Sequence, residues 1–193
     1  MALTSSTMLP LGTSAPVFSL TDLVSSKKIS LETFADQQAL LVMFICTHCP
    51  YVRHVQTELT RLGSDYRAKS AGIVAISAND PTSHPEDAPD KLKAMAQRLG
   101  FSFPYCFDET QEIAKAYTAA CTPDFFLFDK GRKLVYRGQL DDSRPGNDKP
   151  NDGRDLRAAL DAVLVGHPVA SAQKPSLGCN IKWRAGNEPS YAR

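Results

Sequence analysis

The run ALLVMFI, residues 39–45, passes without a polar interruption into CTHCP. It is far shorter than the roughly 20 apolar residues of a membrane span, and it has the character of a strand buried on both faces. Behind it Val52, Val55, Leu59, Leu62 and Tyr66 recur at three- and four-residue spacing, one apolar stripe along a helix. A core strand therefore hands over directly to a helix, and Cys46 and Cys49 fall at the joint. Such a joint belongs to a layered α/β domain, in which helices cover a sheet.

The rest of the chain repeats the alternation. APVFSLT (15–21) and ISLETF (29–34) read as an N-terminal strand pair, GIVAIS (72–77) as a second buried strand and residues 103–107 as a short third. Helices are predicted over 91–99, ended by Gly100, and over 109–119 and 155–164. Residues 124–128 and 134–137 flank DKGR, a hairpin signal. NDPTSHPEDAPD (79–90) is rich in turn formers and predicts an exposed loop. This order predicts a central mixed sheet, parallel at its centre and closed by an antiparallel hairpin. At 193 residues there is room for one domain. We divide it into a flexible N-terminus (1–14), a core domain (15–169) and a tail (170–193) packed on that domain.

A net charge of +1, with basic residues scattered, argues against nucleic acid or an anionic membrane as partner. No Lys or Arg precedes Lys27, and no sustained apolar stretch stands near the start, so no secretory signal is expected and the chain reads as cytoplasmic. Thiols stay reduced in that compartment. Five cysteines, an odd number, fit catalysis or metal binding better than a disulfide framework.

At a helix N-terminus, free N–H groups and the helix dipole favour an anion. A thiolate placed there can have a pKa of roughly 3.5–7.5 in place of about 8.5. Cys46, at the start, reads as the nucleophile, and Cys49, one turn in, as the thiol that resolves a mixed disulfide. Pro50 is tolerated because the first turn has no use for its N–H. Thr47 and His48 lie between the sulfurs, and a cationic imidazole there would make the pair more oxidising. Cys-x-x-Cys is also half of a zinc site, but Cys106 and Cys121 are not closely spaced and no His-x-x-x-His occurs, so no metal is expected. Haem attachment is excluded by Pro50 where a His is needed. His54 reads as ordinary helix surface.

The strand–CxxC–helix unit resembles the thioredoxin fold, specifically the peroxiredoxin-like AhpC/TSA branch that carries a CxxC. The resemblance rests on GTSAPVFSLTD, CTHCPYV, CTPDFFLFDKGRKLVYRGQLDD and LGCNIKWRAGNEP. It implies a peroxiredoxin-type N-terminal β-hairpin and a cis-proline facing the thiols, with Thr122 and Pro123 holding the backbone of an extended substrate. Cys121 then comes near the site, as a third redox thiol or as a small buried side chain. Arg137 is either the counterpart of the family's peroxide-binding arginine or a solvated charge at a strand end. Cys179 is either a resolving thiol or part of a tail anchored by Ile181 and Trp183. The family's Pro-x-x-x-Thr/Ser-x-x-Cys is missing, since Ala39 and Met43 precede Cys46 and Val42 and Cys46 precede Cys49. The Trp and buried acid of thioredoxins are missing too, with Ile45 before Cys46 and no carboxylate over 37–49.

Together these readings predict a thiol–disulfide oxidoreductase needing no organic cofactor. Its partner would be a thiol- or disulfide-bearing protein or a small redox molecule. Alternatives are a thiol peroxidase, in which Cys46 becomes a sulfenic acid, and a redox-sensing or metal-binding module built on the same cysteines. A homodimer is in keeping with the resemblance, whose members often pair.

Overall fold

A computed structural model describes residues 3–192. Its order is β1 (Leu3–Ser5), β2 (Ser19–Thr21), β3 (Lys28–Ser30), β4 (Ala39–Phe44), α1 (Pro50–Tyr66), β5 (Ala71–Ser77), α2 (Pro89–Leu99), β6 (Tyr105–Phe107), α3 (Glu112–Ala116), β7 (Cys121–Thr122), β8 (Asp124–Phe128), β9 (Leu134–Arg137), α4 (Arg154–Leu164) and β10 (Leu177–Asn180). The main sheet runs β6-β5-β4-β8-β9, with β4, β5 and β6 parallel and β8 and β9 antiparallel. This is the mixed sheet the sequence predicts, with β4 central and buried along its whole length.

Alternate residues of β4 enter opposite cores, as the period of a strand requires. Leu41, Met43 and Ile45 pack with the apolar stripes of α1, α2 and α4. Leu40, Val42 and Phe44 pack with Tyr117, Phe126 and the N-terminal segment carrying Phe18, Ile29 and Phe34. Both faces of the sheet are therefore covered, and the apolar run follows from that.

Two expectations are corrected. Within the N-terminus expected to be flexible, the described residues from Leu3 are held in place, because β1 pairs with β10 and Ser6 donates a hydrogen bond to Asp124 Oδ1. The helix predicted over 109–119 is only Glu112–Ala116, since Gln111 and Thr118 on either side adopt positive φ. The tail contributes β10, the middle strand of a second sheet ordered β1-β10-β7. Among the described residues no helix is long and apolar enough to cross a membrane.

Candidate active site

Two strand registers converge on Thr122. In the antiparallel β4–β8 pair Phe44 faces Asp124, and continuing that register by two residues brings Cys46 to Thr122. Cys46 Sγ lies 3.4 Å from Thr122 Oγ1, and Cys49 Sγ lies 3.1 Å from the Thr122 carbonyl oxygen. On the other side, β10 pairs with β7 so that Cys179 also faces Thr122. The Thr122–Pro123 bond is cis. Cys49 caps α1 in an extended conformation, with Pro50 in the first turn.

Cys46 and Cys49 are fully buried, whereas Thr47 and His48 between them reach solvent in part. Their turn is held by Asp87, which is itself fully buried. Its Oδ1 accepts from Thr47 N (2.8 Å), Thr47 Oγ1 (2.7 Å) and His48 N (3.2 Å), and its Oδ2 accepts from Asn79 Nδ2 (2.7 Å). His48 Nδ1 is 2.5 Å from the same Oδ2 and 3.9 Å from Cys46 Sγ. Burial alone would raise the Asp87 pKa, but bonds from His48, Asn79 and Thr47 hold it well below the usual carboxylate range. An ionised carboxylate only accepts, so Nδ1 of His48 carries the proton between them. His48 Nε2 is buried without a partner, and the ring stacks on His84 at 4.9 Å.

The two sulfurs are hydrogen-bonded to each other. Cys49 is drawn down to about 4, foremost by the hydrogen bond from Cys46, against the effect of burial, and further by bonds from Cys179, Thr122 and the Val52 N–H. Cys46 is pushed up, chiefly by burial, then by that same bond to Cys49 and by the Asp87 charge. Of the two, Cys49 is thus the sulfur whose anion is favoured and Cys46 the one whose anion is disfavoured. The cause is local: the Cys46 and Cys179 thiols bond to Cys49, while burial and the Asp87 charge act against an anion on Cys46.

The remaining candidates fall on either side of this site. Cys179 lies in the same core cluster as Cys46 and Cys49. Its thiol bonds to Cys49, and burial with that bond pushes it up to about 12. Cys121 is buried and turned to the Pro123 carbonyl at 3.5 Å, with its pKa raised by burial and by Asp124. The reading of Arg137 as a solvated charge is corrected. It is fully buried, 3.4 Å from Asp124 Oδ2 and 2.8 Å from the Thr118 carbonyl, and it lies over the ring of Phe126 in the core opposite the cysteines. Solvent does not reach it. His54 is half-buried with Nε2 enclosed, which corrects its reading as plain surface.

Asp87 and Asn79 escaped sequence reasoning, because the segment 79–90 reads as an exposed loop. The usable signal was topological. Parallel neighbours β4 and β5 end at the same sheet edge, so the segment after β5 must meet the CTHC turn after β4. With Asp87 in place, Cys46 Sγ, His48 Nδ1 and an Asp87 carboxylate oxygen lie within 4.8 Å of one another, a donor set of the kind that holds a metal.

A buried strand that ends in a dithiol at a helix N-terminus, set against a proline-bearing strand, defines a thioredoxin-like domain. Residues 11–137 match the model of the AhpC/TSA family, and the chain belongs to that family. It is 29% identical over 125 residues to the thiol-disulfide oxidoreductase ResA of Bacillus thuringiensis subsp. konkukian, covering 65% of this chain and 67% of that protein. An uncharacterized conserved protein from Geobacillus kaustophilus superposes with TM-score 0.93 at 54% identity, over 95% of this chain and 97% of that one. A putative thiol:disulfide interchange protein DsbE from Chlorobium tepidum, 19% identical, shares the fold with TM-score 0.63 over 81% of this chain and 99% of that one.

Proposed function

We propose that this chain is a thiol–disulfide oxidoreductase in which Cys46 attacks a disulfide and Cys49 resolves the mixed intermediate. The placement of two bonded sulfurs against Thr122 carries the reading. Proton transfer from Cys46 to Cys49 leaves a Cys46 thiolate 3.4 Å from Thr122 Oγ1, with His48 Nδ1 at 3.9 Å, while the Cys49 thiol donates to the Thr122 carbonyl at 3.1 Å. Cys46 then forms a bond to one substrate sulfur and the other departs as thiolate. Cys49 next attacks Cys46, releasing the second substrate thiol and closing a Cys46–Cys49 disulfide. Thr122 and Pro123 hold the substrate backbone, and Thr47 and His48 are what a docking partner meets first. The name carried by the Bacillus relative supports the same chemistry.

Titration against glutathione, with disulfides mapped by mass spectrometry, tests it. Wild type is expected to form the Cys46–Cys49 disulfide and to reduce insulin. Cys46→Ser should lose both, and Cys49→Ser should stall as a mixed disulfide on Cys46. Absence of the Cys46–Cys49 disulfide at every glutathione ratio sinks the reading. Peroxide consumed as fast by Cys49→Ser, with insulin untouched, replaces it by the peroxidase. The Cys46, His48 and Asp87 donor set favours a second reading, a module that holds a metal. Zinc retained by the reduced protein, removed by chelator and absent from Cys46→Ser, would establish it.

A further inference from the structure

We propose that Cys179 is a third redox thiol, one that pairs with Cys49 and thereby releases Cys46. The proposal rests on the thiol–disulfide reading above and extends it to the C-terminal strand.

Placement of Cys179 is built into the fold from both edges of β10. On one edge Leu3 faces Cys179 and Thr4 faces Gly178. On the other, Cys179 faces Thr122 and Asn180 faces Cys121. Gly178 makes the close approach to β7 feasible, because a Cβ there would stand 2.0 Å from the Thr122 carbonyl oxygen. Slipping β10 by one residue would put Leu177 or Cys179 in that gap and turn Cys179 to the other face. The register therefore holds a third sulfur in the core that Cys46 and Cys49 occupy, with its thiol bonded to Cys49. Packing alone would be served at this position by any small apolar side chain. What the strand delivers is a third thiol in contact with the middle sulfur of three.

The exchange balances within the chain. Starting from the Cys46–Cys49 disulfide, the Cys179 sulfur attacks Cys49 Sγ. The bond to Cys46 breaks, and Cys46 leaves with the electron pair and takes up the proton that Cys179 gives up. One disulfide is lost and one is made, so no further oxidant enters. Cys46 is a thiol again while the oxidising equivalent is kept between Cys49 and Cys179. The chain can then engage a second disulfide before the first equivalent has been passed on.

Glutathione disulfide is used to oxidise full-length wild type, and diamide to oxidise Cys46→Ser. Each sample is quenched in acid, its remaining thiols alkylated, and its disulfides mapped by mass spectrometry. The expected result is a Cys49–Cys179 linkage beside Cys46–Cys49 in wild type, and Cys49–Cys179 alone in Cys46→Ser with Cys106 and Cys121 alkylated. Cys179→Ala should keep Cys46–Cys49 and lose the second linkage. Should Cys46→Ser fail to fold, the wild-type map decides. Cys46–Cys49 present with no Cys49–Cys179 in any folded sample overturns this proposal and leaves the oxidoreductase reading standing. If wild type forms no Cys46–Cys49 disulfide at all, it is the oxidoreductase reading that fails.

Discussion

Cys49 receives hydrogen bonds from two other thiols and from the Val52 N–H, an arrangement that concentrates one negative charge on one sulfur. Its pKa falls from the ordinary thiol value of 9.0 to about 4, so the folded reduced protein holds a thiolate where the unfolded chain holds a thiol. A depressed pKa contributes stability that is full above the unfolded value and is lost as pH falls to the folded one. The reduced protein should therefore lose stability relative to Cys49→Ser between about pH 9 and about pH 4, measured by denaturant midpoints. Its ultraviolet thiolate absorbance should disappear with a midpoint near 4, and Cys49→Ser should lack that transition. A midpoint near the ordinary thiol value would mean that the bonds from Cys46 and Cys179 do not form in solution. Asp87 works against Cys46 in the same currency, since its charge disfavours a second thiolate beside the first.

At the scale of elements, the sequence was legible wherever a periodic apolar pattern ran long enough. The β4–α1 joint, the β8–β9 hairpin and the mixed sheet were all visible, because each is fixed by burial of its own residues. β1 and β10 were not. Leu3–Ser5 and Leu177–Asn180 are too short to show a period; β1 is a strand because β10 is beside it, and β10 because it lies between β1 and β7. Asp87 was hidden for a related reason, since its partners Thr47 and His48 lie 40 and 39 residues away. The site's supporting half thus belongs to contacts between distant segments. Gly178 is the most exacting of them. Gly178→Val places a Cβ against the Thr122 carbonyl oxygen, and backbone cannot yield as a flexible side chain would. Overpacking of that kind costs about 1–3 kcal/mol, so the denaturant midpoint should fall and Cys179 should become open to alkylation in the reduced native protein. An unchanged midpoint with Cys179 still protected would show that β10 can shift its register freely.

For the molecule as a whole, β1 and β10 are tied to the rest of the fold beside a buried ion pair. Arg137 and Asp124 are both fully buried, and Ser6 near the N-terminus donates to the same carboxylate at 2.7 Å. Asp124 follows Pro123 directly, so this cluster braces the strand that presents Thr122 to the thiols. Removing one partner of a buried pair leaves an uncompensated charge, and the loss is about 3–5 kcal/mol. Arg137→Met should therefore lower the unfolding free energy by that order, read from urea denaturation. Adding Asp124→Asn should restore a large part of it, because the charge left behind is then gone and the amide oxygen still accepts from the Ala120 N–H. A structural brace and a peroxide-binding arginine differ in one readout. The fraction of Arg137→Met that remains folded should exchange with glutathione at the wild-type rate, since the guanidinium lies in the core opposite Cys46. A variant that keeps its stability but loses exchange or peroxide turnover would return Arg137 to the chemistry.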